Sequence, residues 1–124
     1  GGLSKVQIWI NPKDNEWPED DPYFTKAPWR NATILPPPTQ WGGDLPSGRL
    51  PDNVRFFDTN GRPKHWPMRY TLAHWATLLK GIAPGSYDVR CRTIDLKGIA
   101  QPMPRPFRKS GRNIIQRFSL TVEA

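Results

Sequence analysis

The sequence is poor in the residues from which catalytic and metal sites are most often built. Its 124 residues include a single cysteine, Cys91, and only two histidines, His65 and His74. One cysteine excludes an internal disulfide and a cysteine metal cluster, and neither histidine has a second ligand at metal-binding spacing. The sequence also has no glycine-rich phosphate loop after a strand and no nucleophile elbow. We therefore expect the chain by itself to be non-catalytic and to bind no cofactor or metal.

Long apolar stretches are missing as well. No run approaches the ~18 apolar residues of a membrane-spanning helix, so we expect no membrane span. The segment after Gly1 lacks the charged and apolar regions of a signal peptide. A length of 124 residues fits one domain with a modest core. We expect a single domain over residues 1–124.

Proline and glycine, by contrast, are abundant. Fifteen prolines and ten glycines make up 25 of 124 residues, and eleven of the prolines lie between Pro12 and Pro67. Proline fixes φ and removes a backbone donor, which excludes long helices and central strands from this region. Six tryptophans argue against disorder. The pattern predicts a long, proline-rich elaborated connection over residues 22–70.

Period-two alternation marks three strands, over residues 4–10, 87–93 and 116–123. Each strand has one apolar face, and Cys91 lies on such a face as a small core residue. Residues 70–79 fit either a helix or a strand. The predicted fold is an all-β sandwich. The residues expected in its core are Val6, Ile8, Tyr87, Val89, Cys91, Phe118, Leu120 and Val122.

The connections carry their own signals. Residues 13–21 hold five acidic side chains and predict a solvated turn, with Trp17 folded back onto the sheets. Residues 54–58 read as a short strand, followed by a tight turn at Asn60-Gly61. Asp95, at the end of the second strand, is interpreted as a turn-forming aspartate and not as a carboxylate of an active site.

Charge is distributed unevenly along the chain. Residues 1–69 carry nine basic and eight acidic side chains, or +1, whereas residues 70–124 carry nine and three, or +6. Four of the cations lie in residues 105–112, and Arg117 follows them. Arginine suits oxyanions because its planar fork makes paired hydrogen bonds. The segment predicts either an anionic partner or an ordinary solvated loop, and the residues alone leave both open.

The order of motifs in the C-terminal half resembles that of one known family. These motifs are, in chain order, Trp75, Pro84-Gly85, Arg92-Thr93-Ile94-Asp95, Gly98 and Gln101-Pro102. Near the start, Val6-Gln7-Ile8 and then Trp17 resemble the same family's first strand and turn. The family is the C-terminal immunoglobulin-like domain of sulfite-oxidase-type molybdopterin oxidoreductases. The similarity covers about residues 70–124 and 4–17, and the proline-rich middle does not share it. A Gly-Gly turn usual in the family is replaced here by residues 12–15.

The resemblance implies an immunoglobulin-like β-sandwich that is part of a larger enzyme. The molybdenum, its molybdopterin and the metal-binding cysteine would belong to a preceding catalytic domain. The terminal domain would pack on that domain and form the contact of a homodimer. One family arginine that enters the substrate pocket corresponds here to Arg108, eight residues before Gln116. Arg105 and Arg112 are the neighbouring candidates for binding the anionic substrate.

Two other functions are compatible with the sequence. A free-standing extracellular β-sandwich module could use exposed tryptophans to bind a carbohydrate or a peptide. A basic nucleic-acid binder is the weaker alternative, because Phe107 is the one aromatic residue interleaved with the basic cluster.

Overall fold

A computed structural model of the chain describes residues 2–37, 57–58, 62–68, 73–101 and 115–124. Every regular element in these ranges is a β-strand, and every strand pairing is antiparallel. The strands are β1 (Leu3–Pro12), β2 (Arg30–Asn31), β3 (Thr33–Ile34), β4 (Trp75–Ala76), β5 (Gly85–Asp95), β6 (Ala100–Gln101) and β7 (Gln116–Val122). The predicted all-β class is confirmed. Within the same ranges, no helix is long and apolar enough to cross a membrane.

The main sheet is built around β5. Strand β1 pairs with β5 over nearly its whole length, from Leu3 opposite Asp95 to Pro12 opposite Tyr87. The other edge of β5 is shared, because β7 pairs with residues 85–91 and β6 pairs with residues 93–94. Strand β2 extends the sheet on the far side of β1. Alternating β-branched and aromatic side chains in β1 and β5 explain why these two strands are the long ones.

A second, two-stranded sheet is formed by β3 and β4, with Ile34 opposite Trp75. The chain reaches it directly from the main sheet. The amide of Ala32, between β2 and β3, donates to the carbonyl of Val6 in β1 at 2.8 Å. Residues 30–34 therefore link the two sheets without an intervening loop.

The three predicted strands are present, each within about two residues of the expected ends. The undecided segment 70–79 contains the short strand β4, while residues 70–72 lie outside the described ranges. The predicted turn at Asn60-Gly61 also lies outside them. Phe57 and Pro63, on either side of it, form an antiparallel bridge.

The predicted core is only partly correct. Val6, Ile8 and Val89 are buried, as expected. The prediction for Phe118 is wrong, because this side chain is 47 % exposed. Another four of the predicted core residues are half-buried, and they are Tyr87, Cys91, Leu120 and Val122. For the three residues of β7 the physical reason is position: β7 has β5 as its one strand neighbour within the described part of the chain, and an edge strand has less cover than a central one.

The opposite face of the main sheet is buried where alternation predicts a polar surface. Trp9 shares its face with Lys5 and Gln7, yet it is only 3 % exposed. Residues 13–29 fold over this face and bring three further aromatic rings onto Trp9. The sheet therefore has apolar packing on both faces. The packing around Trp9 was not predicted from the sequence.

Candidate functional site

The most elaborate arrangement of side chains in the described structure is an aromatic and arginine cluster on the Trp9 face. The ring of Trp9 lies 4.8 Å from that of Trp17, 5.3 Å from Phe24 and 5.8 Å from Trp29, measured between centroids. Two of these contacts are edge-on, the geometry that aromatic quadrupoles favour. The expectation that Trp17 folds back onto the sheet is confirmed.

Two arginines of β5 stack on these rings. The guanidinium carbon of Arg90 lies 5.3 Å from the Trp9 centroid and 4.5 Å from that of Phe24, and that of Arg92 lies 4.4 Å from Trp29. Burial disfavours the charged form and so lowers the pKa of both arginines. Among the described residues, Nη1 of Arg90 is buried without a hydrogen-bond partner. Attraction to two ring faces compensates in part for its lost hydration.

Sequence reasoning missed this cluster. One sequence pattern could have revealed it. Trp9 lies in a row of polar side chains on β1, and β5 carries arginines at the alternate positions 90 and 92. Gln7 links the strands on both sides of β1. Its Oε1 accepts a hydrogen bond from Nε of Arg92 at 2.9 Å, and its Nε2 donates one to Oδ1 of Asn31 at 3.1 Å.

The loop that covers the cluster is held by one aspartate. Asp21 is 5 % exposed, and its carboxylate accepts from the amides of Thr25 and Lys26, the Thr25 hydroxyl and Nε1 of Trp17, all within 3.1 Å. Burial alone would raise the pKa of Asp21, but these four hydrogen bonds outweigh it and hold the pKa well below the ordinary value. The acid-rich segment is therefore not uniformly solvated.

A shallow groove runs beside the cluster, between residues 22–24 and the start of β7. Its basic lining comes from Arg90 and Arg117, which are directly opposite on β5 and β7. Arg117 is exposed. Burial is the chief cause of the lowered pKa of Arg90, while the charge of Asp88 raises this pKa and that of Arg117 lowers it. No ion pair joins either arginine to a carboxylate within the described ranges. The lining of the groove therefore carries two positive charges, to which an anion would be attracted.

The strands on either side of residues 102–114, which lie outside the described ranges, pair with neighbouring positions of β5. Gln101 of β6 lies opposite Thr93, and Gln116 of β7 lies opposite Cys91. Thr93 and Cys91 are two residues apart on β5, roughly 7 Å along the strand. Gln101 and Gln116 therefore lie near each other at one edge of β5. The predicted substrate-binding residues Arg105, Arg108 and Arg112 lie outside the described residues, so their role stays a prediction.

Asp95 closes β5 as a turn former, which agrees with the sequence interpretation. Its Oδ1 accepts from the amides of Lys97 and Ile99, both at 2.9 Å, and its backbone amide donates to the carbonyl of Ile99 at 2.9 Å. The hydrogen bond from Ile99 is the chief reason that the pKa of Asp95 is lowered. Gly98 supplies the positive φ of 82° that the turn requires.

Cys91 and the two histidines differ in their exposure. Burial raises the pKa of the half-buried Cys91 thiol, which disfavours the reactive thiolate. His65 and His74 are exposed. Within the ranges that the structure describes, no three histidine, cysteine, aspartate or glutamate side chains come together as a metal site would require.

The tryptophans bear on the alternative binding-module function. Five of the six are described, and all five are buried or half-buried. The described surface therefore offers no exposed tryptophan on which a sugar ring could stack. Comparison with known proteins adds no assignment: no family model, no curated protein and no solved structure matches this chain.

Proposed function

We propose that the chain is an immunoglobulin-like β-sandwich that serves as the accessory and dimerisation domain of a molybdopterin-dependent oxidoreductase of sulfite-oxidase type. The observation that carries this proposal is the unit formed by β5, its closing turn and β6. The residues of the resemblance occupy defined positions in it. Gly85 opens β5, Asp95 closes it, Gly98 forms the turn, and Gln101 returns to the sheet edge.

A tyrosine at the start of β5 supports the finer fold. The hydroxyl of Tyr87 donates to the carbonyl of Ala83, four residues upstream, at 2.6 Å. Immunoglobulin-like sandwiches use such a tyrosine corner where the chain crosses from one sheet to the other. Here the corner lies between β4 of the second sheet and β5 of the main sheet, with Gly81 at φ 66° in the connection. Residues 22–70 would form the proline-rich connection that elaborates the sandwich.

The basic segment gives the domain its role in substrate use. Gln101 and Gln116, on either side of residues 102–114, pair with neighbouring positions of β5, and Gln116 and Arg117 line the groove. In the full-length enzyme Arg108 would contact the anionic substrate, with Arg105 and Arg112 as alternatives. Long-range attraction from Arg90 and Arg117 would favour the same anion.

Catalysis itself would belong to another part of the same polypeptide. The molybdenum and the molybdopterin would sit in the preceding catalytic domain, and the whole enzyme would be a homodimer. The described residues of this chain have the character of a scaffold: two sheets, a packed aromatic cluster and a basic edge. Function would therefore come from the surface that this scaffold presents to its partner domain.

The decisive experiment is to determine the full-length gene product and purify it. A molybdopterin domain upstream of Gly1, with stoichiometric molybdenum in the whole enzyme and none in residues 1–124 alone, would support the proposal. A gene product without such a domain, or molybdenum bound by the isolated chain, would refute it.

The substrate role is tested separately by Arg108→Gln in the full-length enzyme. Loss of one charge-assisted hydrogen bond costs roughly 1.5–3 kcal/mol, which corresponds to a tenfold to hundredfold lower kcat/KM, chiefly through a higher KM. Arg105→Gln and Arg112→Gln are the matched variants. If all three match the parent enzyme, the basic segment has no part in substrate binding.

A further inference from the structure

Strand β7 has one edge that no strand of the described chain occupies. It pairs with β5 from Gln116 opposite Cys91 to Val122 opposite Gly85, with no shift in register, and within the described ranges β5 is its one neighbour. Five of its seven residues are exposed, and they include Phe118 at 47 %. An edge of this kind presents a row of backbone donors and acceptors to which another strand can add.

The sequence of β7 and of the residue after it is complementary to itself. In an antiparallel pair of two copies centred on Leu120, each residue lies opposite the one that is equally far from Leu120 in the other copy. This arrangement places a base opposite an acid, an aromatic ring opposite a β-branched side chain, and one hydroxyl opposite another. The pairs are Arg117 with Glu123, Phe118 with Val122, and Ser119 with Thr121. Each is a kind of cross-strand pair that stabilises antiparallel sheets.

A pair of strands centred on a neighbouring residue loses this match. One centred on Ser119 would place Arg117 opposite Thr121, and one centred on Thr121 would place Glu123 opposite Ser119. Arg117 and Glu123 are both exposed, and within the described part of the chain neither forms an ion pair. Charge complementarity therefore favours a second copy of this chain as the occupant of the edge, and it selects the register.

We propose that two copies of the chain dimerise by antiparallel pairing of their β7 strands, with the two-fold axis at Leu120. The main sheet then continues from one copy into the other, because β7 follows β1 and β5 in the sheet of each copy. Phe118, which is exposed in the single chain, packs beside Val122 of the partner subunit. The inference deepens the dimerisation role in the proposed function and rests on it in that respect, whereas the strand and the register follow from β7 alone.

A charge swap tests the register in the 124-residue chain. Two short strands form a small interface and hence a weak dimer, so self-association is measured by sedimentation equilibrium from about 10 µM to 1 mM. Arg117→Glu and Glu123→Arg should each weaken self-association about tenfold, because two opposite-charge pairs per dimer become like-charge pairs. The double variant should restore it. Lys97→Glu is the matched control and should not weaken it, since it makes the same charge change in the exposed turn after β5.

Disulfide cross-linking tests the register independently, in a Cys91→Ala background. Ser119→Cys and Thr121→Cys introduce thiols at two exposed positions that lie opposite each other across the dimer. Their Cα atoms would be roughly 5 Å apart, within the range that a disulfide spans. Two copies of the same variant would hold these atoms two residues out of register, about 8 Å apart and beyond the limit of about 7 Å. Mild oxidation of an equimolar mixture, with one variant isotopically labelled, should therefore give mainly the mixed dimer by mass spectrometry.

Three results would overturn the inference. These are a chain that stays monomeric at the highest concentration, self-association that both charge reversals leave unchanged, and cross-linking with no preference for the mixed dimer. Circular dichroism shows whether each charge variant is folded, and the cross-linking pair keeps the test decisive if one is not. Any of the three, with a cofactor domain present in the full-length product, would leave the rest of the proposed function standing. A full-length product without such a domain would remove that function and leave a β7 dimer of the 124-residue chain in place.

Discussion

Replacement of Trp9 by alanine tests whether the polar-patterned face of the main sheet is a true core. Trp9 is 3 % exposed and contacts the rings of Trp17, Phe24 and Trp29. Alternation places it on the polar face and places Phe118 on the apolar face. In the structure Trp9 is the buried residue of the two and Phe118 is 47 % exposed. We therefore expect Trp9 to contribute more to stability than Phe118.

The magnitudes follow from burial. Truncation of a fully buried aromatic residue to alanine costs roughly 3–5 kcal/mol, and loss of three ring contacts places Trp9→Ala at the upper end of this range. Phe118 buries about half of its side chain, so Phe118→Ala should cost about 1–1.5 kcal/mol. The gap of about 3 kcal/mol is large against a total stability of roughly 5–15 kcal/mol for a domain.

Urea denaturation followed by far-ultraviolet circular dichroism measures both variants, because the strand backbone contributes most of this signal and each variant is compared with its own folded and unfolded baselines. With a slope of about 1–3 kcal/mol per molar urea, the two midpoints should differ by about 1 M or more. Trp9→Phe is the control and should fall between Trp9→Ala and the parent. If Phe118→Ala costs as much as Trp9→Ala, the aromatic cluster is not a core and the reasoning fails.

Three further predictions concern the hydrogen bonds of Asp21, the hydrogen bond of Tyr87 and the backbone angle of Gly98. Because the pKa of Asp21 is lower in the folded state than in the unfolded state, its contribution to stability is fully present above the unfolded value of about 3.9 and is lost as the pH falls below it. Asp21→Asn should lower stability at pH 7 and flatten this acid dependence in urea titrations between about pH 2 and pH 7; an unchanged pH profile would contradict the role of its hydrogen bonds. Tyr87→Phe removes the 2.6 Å bond to Ala83 and should cost about 0.5–1.5 kcal/mol by the same assay, whereas no loss would mean that the corner does not stabilise the fold. Gly98→Ala meets no atom within 4 Å but must adopt a φ of 82°, so it should cost about 1 kcal/mol, and Gly98→Asn should cost less.

Much of the main sheet could be predicted from local pattern. Alternation located β1, β5 and β7 because a strand with one covered face must repeat every second residue. The role of Asp95 was also predictable, since a turn aspartate bonds to amides a few residues ahead in the chain. These features depend on residues that are close together in the sequence, so they can be predicted from it.

Burial, in contrast, depended on residues far apart in the chain. Whether Trp9 or Phe118 lies in the core was decided by what covers each face of the sheet. Residues 13–29 fold over Trp9, held by Asp21, while β7 sits at an edge of the sheet. No periodicity in β1 or β7 encodes that choice.

The sequence by itself determined the all-β class, the long strands, the turn at Asp95 and the concentration of positive charge in residues 105–117. Tertiary structure alone decided that Arg90 and Arg92 stack on aromatic rings, and that Gln101 and Gln116 pair with neighbouring positions of β5. The physical reason is that strand propensity and alternation are local, whereas the cover of a face and the pairing of an edge are set by contacts between segments tens of residues apart.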